Sequence, residues 1–107
     1  MAASQLPADD SLQKLQTYIW KINQERGFST EKPSEKLVML MEEVGELAKA
    51  VRKQSGLKFT NTTRQTEAAE ELADVLIVLL GLSSLLNIDI FQALLDKEAK
   101  NRKRTWR

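Results

Sequence analysis

The chain has 107 residues, 42% of them hydrophobic and 29% charged, the balance of one folded domain rather than a disordered chain. It holds no cysteine and no histidine. Disulfides, thiolate nucleophiles, Cys-ligated zinc, Ser-His-Asp triads and imidazole acid–base chemistry are therefore excluded. Any catalysis falls to carboxylates, lysines, hydroxyls or a metal held by oxygen. The net charge of +1 hides an asymmetry: residues 97–107 carry six basic side chains and one acid, and the rest of the chain is acidic. Such a tail suits an anionic ligand or a nucleic-acid contact. It is also the ordinary complement of a helix C-terminus.

Residues 1–10 lack the basic start and apolar stretch of a signal peptide and read as a flexible polar arm preceding a domain over 11–107. The uncharged stretch from Val75 to Leu86, even continued to Asp89, falls short of the ~20 residues needed to span a bilayer. A cytoplasmic location is expected. Four helices follow. The first is expected from about Ser11 to Arg26, opened by Asp10-x-x-Gln13 and closed by Gly27. The second, about Ser34 to Gln54, carries Leu37, Leu40, Met41, Val44, Leu47, Ala48 and Val51 as an amphipathic stripe. A loop around Gly56 leads to a third helix, opened by Thr62-x-x-Gln65 and reaching about Leu86. Asn87 breaks it, and Asp89-x-x-Gln92 opens a fourth helix to about Arg104. The expected fold is an all-α four-helix bundle. The third helix is apolar on every side from Val75 to Leu82, so it must be buried all round. Four short helices rarely enclose one of their own, so a homo-oligomer formed through this helix is expected.

The acids of the second and third helices carry the chemical signal. Glu-Glu-Val-Gly-Glu spans 42–46 and Glu-Glu-Leu-Ala-Asp spans 70–74. Residues three apart share a helix face, which pairs Glu43 with Glu46 and Glu71 with Asp74. Packed side by side, the helices bring four carboxylates together, and such a group repels itself unless protons or cations intervene. Hard divalent ions such as Mg²⁺ or Mn²⁺ take oxygen ligands of this kind. One such motif alone is ordinarily a solvated face. Two of them, each in a strongly apolar helix, shift the balance toward a metal site. Gly45 adds an oddity, since glycine within a helix costs ~1 kcal/mol relative to alanine.

The fourth helix supplies the opposite charge. Ile90, Ala93 and Leu94 mark its apolar face, and Lys97, Asn101 and Arg104 continue that face at helical spacing. Lysine and arginine there suit phosphate; the plain alternative is a solvated helix end. Trp20 suits stacking on a nucleobase, although tryptophans more often pack in cores. Phe28, Tyr18 and Trp106 are weaker candidates. Gly81-Leu-Ser-Ser lacks the second glycine and the lysine of a phosphate-cradling loop.

The order Glu42-Glu43-Val44-Gly45-Glu46 followed by Glu71-Leu72-Ala73-Asp74, with the flanking residues 40–50 and 69–76, resembles the signature of the MazG-like all-α nucleoside triphosphate pyrophosphohydrolases. The Lys97…Asn101…Arg104 spacing looks like the last helix of that family, and the resemblance runs from about Leu12 to Trp106. It implies a dimer or dimer of dimers, and Mg²⁺-dependent hydrolysis of a (deoxy)nucleoside triphosphate to the monophosphate and pyrophosphate in nucleotide-pool house-cleaning, with Mn²⁺ as a substitute. It implies metal ligation by Glu43, Glu46, Glu71 and Asp74. Glu42 and Glu43 are the catalytic candidates, Glu42 as a second-metal ligand or as the group that orients the attacking water. Lys97, Asn101 and Arg104 would hold phosphates or sugar, and Trp20 the base. The alternatives are phosphoribosyl-ATP pyrophosphohydrolysis, and a non-enzymatic helical adaptor whose acids are merely solvated. A nucleic-acid module built on the basic tail ranks third, since the acidic body opposes it.

Overall fold

The structure, a computed structural model, describes residues 11–56 and 61–104, without the side chains of residues 56 and 61–66. Four helices make it up: α1 (Leu12–Glu25), α2 (Pro33–Gly56), α3 (Asn61–Leu85) and α4 (Ile90–Arg102). No strand occurs among the described residues, so the all-α expectation holds. None of the helices is by itself long and apolar enough to cross a membrane.

Local chemistry explains where each helix starts and stops. Ser11, rather than Asp10, caps α1: its hydroxyl accepts from the Lys14 N–H at 3.4 Å. Asp10 and the expected polar arm lie outside the described residues. Gly27 ends α1 with φ +79°. There the Phe28 N–H donates to the Asn23 carbonyl at 2.6 Å and the Gly27 N–H to that of Gln24 at 3.2 Å, the paired bonds of a Schellman ending. Helix α2 opens on Pro33, whose missing N–H costs nothing in the first turn. The Glu35 carboxylate accepts from the Lys32 N–H at 3.0 Å, half of a capping box. At its other end α2 continues to Gly56 instead of stopping at Gln54, and the Ser55 hydroxyl donates to the Val51 carbonyl at 3.0 Å. The side chains of Thr62 and Gln65 lie outside the described residues. Asn87 ends α3 with φ +58°, and its ending repeats the Schellman pattern through Ile88 N–H to Ser83 O and Asn87 N–H to Ser84 O. Asp89 caps α4 as expected, accepting from the Gln92 N–H at 3.2 Å.

The α3–α4 junction is held by α1. The Gln16 side chain donates to Ser84 Oγ at 3.2 Å and to the Ile88 carbonyl at 2.7 Å, and accepts from the Ile90 N–H at 3.1 Å. Gln13 adds a bond to the Asp89 carboxylate at 3.0 Å. Helix α4 therefore leaves α3 at 96° and packs on α1 rather than along α2 or α3.

Helices α2 and α3 form the main packed pair. They run antiparallel: Lys36 near the start of α2 meets Gly81 near the end of α3, while Lys53 near the end of α2 shares a cleft with Glu67 near the start of α3. Along α2 the seam is Lys36, Leu40, Glu43, Leu47 and Ala50; along α3 it is Ala68, Glu71, Val75 and Val78, all buried or half-buried. Lys36 is only 4% exposed. Its ammonium pairs with Glu31 at 3.3 Å and lies 5.8 Å from the Phe28 ring centroid, so a charge in the seam keeps a partner. Helix α1 covers the other side of α3 with Ile19, Ile22 and Asn23. Leu80, at 2% exposure, is the most enclosed large side chain.

One expectation from the sequence is met only in part. The α2 stripe divides: Leu40 and Leu47 face α3, whereas Leu37, Met41, Val44 and Val51 stand in the open, Met41 at 60%. On α3, Leu72, Leu76, Ile77 and Leu79 are exposed as well, so the apolar stretch from Val75 to Leu82 is not enclosed by its own chain. The radius of gyration, 16.5 Å, exceeds the ~13 Å of a compact chain this long.

Two glycines separate cleanly. A Cβ at Gly45 meets nothing within 4 Å, whereas one at Gly81 meets Asn23 Nδ2 at 3.0 Å and Lys36 Cε at 3.1 Å. Gly45→Ala is expected to raise stability by ~1 kcal/mol, and Gly81→Val to lower it by about 1–3 kcal/mol through overpacking. Thermal unfolding of both variants checks the contrast; equal shifts would refute the assignment of Gly81 to the packed seam.

Candidate metal centre

Glu43 and Glu71 occupy seam positions that an apolar side chain would take in an ordinary helix pair. Each is half-buried, and Asp74, one turn beyond Glu71, reaches the same point from a more exposed position. One carboxylate oxygen from each of Glu43, Glu71 and Asp74 lies within 4.8 Å of the others. The antiparallel register brings this about, setting Glu43 of the first acidic motif against Glu71 and Asp74 of the second.

The electrostatics bear the mark of this crowding. Partial burial, then the negative charges of Asp74, Glu43, Glu46 and Glu70, push the Glu71 carboxyl above its ordinary value. No cation among the described residues pairs with Glu43, Glu71 or Asp74. Three converging oxygen donors without nitrogen or sulfur fit a hard divalent ion. The donor set therefore suits the ion that the resemblance implies.

The other candidate residues stand in different places. Glu46 is exposed; its charge acts on Glu71, but its oxygens are not among the three that converge. Glu42, turned about 100° around α2 from Glu43, is exposed and outside that group. Glu70 contributes charge beside Glu71. A cleft of ≈ 280 Å³ adjoins the cluster, with Glu46, Lys49 and Lys53 on its α2 wall and Glu67, Glu70 and Glu71 on α3. Lys49, Lys53 and Glu67 lie outside the two acidic motifs and the residues that the family resemblance points to. For the lysines a signal exists, since they follow Glu46 at i+3 and i+7 on one face.

Helix α4 is not brought to the carboxylates of its own chain. Lys97 is exposed on it, and Asn101 is half-buried with its Oδ1 lacking a hydrogen-bond partner among the described residues. The helix ends at Arg102 rather than at the expected Arg104, so Arg104 is exposed just beyond its last turn. Trp20 is half-buried and lines a separate groove of ≈ 610 Å³ with Gln13, Gln16, Ser84, Asn87 and Asp89. Ser84 lies ten residues beyond Asp74 on α3, about 15 Å along the helix axis. Tyr18 is half-buried, Phe28 is exposed, and Trp106 lies outside the described residues.

A family model described as the MazG nucleotide pyrophosphohydrolase domain matches residues 31–106. The chain belongs to this family. It is also 36% identical over 75 residues to the dATP/dGTP diphosphohydrolase of Cyanophage S-2L, across 70% of this chain and 59% of that protein. The chain thus spans less than two thirds of that relative's length. The MazG match includes both acidic motifs and α4 but stops short of Trp20.

Two outcomes follow from the MazG acidic cluster. With its carboxyl value raised, folded Glu71 keeps a proton that the unfolded chain has already released. That contribution to stability is complete below the ordinary carboxylate value and is lost as pH rises through the raised one. In metal-free protein, Glu71→Gln is expected to flatten this limb of the pH–stability curve; an unchanged limb would place the effect elsewhere. Mg²⁺ at 100 times its Kd is expected to stabilise the wild type by about 2.7 kcal/mol. Glu43→Gln and Asp74→Asn should lose most of that gain, as read by the thermal midpoint with and without the ion.

Proposed function

We propose that the chain is a nucleoside triphosphate pyrophosphohydrolase. It hydrolyses the α–β phosphoanhydride of a (deoxy)nucleoside triphosphate, consuming one water and giving the monophosphate and pyrophosphate. The observation that carries this reading is the convergence of Glu43, Glu71 and Asp74 within a segment that matches the MazG family. Glu43, Glu71 and Asp74, with Glu46 beside them, hold Mg²⁺ or Mn²⁺. When bound, the ion neutralises phosphate charge and activates water. Glu42, free of the cluster and open to solvent, accepts the proton of the attacking water. The similarity to the cyanophage dATP/dGTP diphosphohydrolase supports purine deoxynucleoside triphosphates as substrates, and house-cleaning of the nucleotide pool is the role that goes with this reaction.

The working form in this reading is a homo-oligomer. The exposed stripes of α2 and α3 and the open shape of the chain support a second copy packed against α3. Trp20 lies on α1, Lys97 and Asn101 on α4 and Arg104 just past its end, away from the carboxylates of their own chain. They serve base, sugar and phosphate at the site of a neighbouring copy.

Pyrophosphate release from dATP, dGTP, the other canonical triphosphates and phosphoribosyl-ATP, with and without Mg²⁺, tests the reaction. Metal-dependent release from the purine deoxynucleotides is expected. Glu43→Gln should lower the rate by more than about 100-fold, beyond the 10–100-fold typical of outer-shell residues. No release from any of these compounds would overturn the enzyme reading in favour of an adaptor.

A further inference from the structure

The cleft beside the carboxylate cluster has a property that the cluster lacks, which is positive charge. Lys49 and Lys53 stand one turn apart on its α2 wall, the cations that line it among the described residues. Glu67 and Glu70 line the opposite wall, yet neither lysine forms an ion pair or hydrogen bond with any described residue. Both lysines are exposed, so an incoming anion recruits them without breaking a contact or uncovering a core. Their chain positions supply direction. Lys49 lies about 4.5 Å along the α2 axis from Glu46 and about 9 Å from Glu43, and its flexible four-carbon stem lets the ammonium reach back toward the cluster. Lys53 extends the same row one turn further. The cleft shares Glu46 and Glu71 with the group that charges the centre, so it continues the site rather than forming a second one.

We propose that Lys49 and Lys53 form the diphosphate-binding half of the site. They take the β- and γ-phosphates of the substrate and then hold the inorganic pyrophosphate product. A polyphosphate approaching this centre meets Glu43, Glu46, Glu67, Glu70, Glu71 and Asp74 together. A cation at the cluster offsets only part of that charge, and the remainder bears on the phosphates that extend beyond it. The two ammonium groups supply point charges where that tail lies. They do so from the same chain as the carboxylates, whereas α4 does not reach them. Discrimination follows: the row of lysines favours a diphosphate tail over a monophosphate.

This inference rests on the hydrolase reading but is tested separately, by calorimetric titration of inorganic pyrophosphate and of dAMP into the full chain with Mg²⁺ present. In Lys49→Gln/Lys53→Gln the affinity for pyrophosphate should fall by about tenfold or more, while that for dAMP changes less than about twofold. KM for the triphosphate should rise in parallel. Lys21→Gln/Lys32→Gln, which removes the same charge elsewhere on the surface, should leave pyrophosphate binding unchanged. Equal losses in the two double variants would reduce the effect to net charge and overturn the proposal. So would a wild type that does not bind pyrophosphate, or a Lys49/Lys53 variant that binds it normally. If the wild type binds pyrophosphate through these lysines yet releases none from any triphosphate, the hydrolase reading fails and the diphosphate site stands. Circular dichroism confirms that each variant folds.

Discussion

The placement of carboxylates in a helix–helix seam is the constraint on which the rest of the structure turns. Glu43 and Glu71 stand where α2 and α3 would otherwise bury aliphatic side chains, and Asp74 closes on the same point. Such an arrangement weakens a helix pair, because like charges are held together where solvent screens them poorly. The pair survives because its packing is secured on both sides of the acids. At one end Lys36 lies flat over Gly81, with its charge answered by Glu31. At the other end Ala50 and Ala68 are buried, and their small side chains allow close backbones. The acids are held between two well-packed ends, a preorganisation suited to capturing a cation.

Much of this was legible in the sequence. Helical periodicity located all four helices, and the three-residue spacing of the acids identified the face on which Glu43 and Glu71 lie. Asp89 was readable as a cap because a carboxylate three residues before a glutamine has a local role that needs no tertiary information. The same local logic placed the start of α1 but chose Asp10 where Ser11 is the cap. Ser11 and Asp10 are both good caps, and the choice between them depends on which residue takes the extended backbone.

What was not legible concerns direction and company. An amphipathic stripe says that a face is apolar, not that the same chain covers all of it. The stripe of α2 splits into a seam that meets α3 and an edge that the described residues leave largely exposed. The heading of α4 was hidden as well. It depends on a left-handed Asn87 and on Gln16, which lies 71 residues earlier and bonds across to the junction. Lys36 reads as a surface lysine at the start of a helix. Its burial becomes intelligible only once Gly81, 45 residues away, leaves room for its stem.

Gln16 also has a mechanical consequence. Three hydrogen bonds from one amide fix the angle at which α4 leaves the body, and α4 is a rod about 20 Å long. Its cations cluster at the far tip. A swing of roughly 10° at the amide therefore carries Lys100, Arg102 and Lys103 through an arc of about 3–4 Å, comparable to the length of a hydrogen bond. The aim of the charged tip is set at the other end of the lever, by an uncharged side chain that never approaches it.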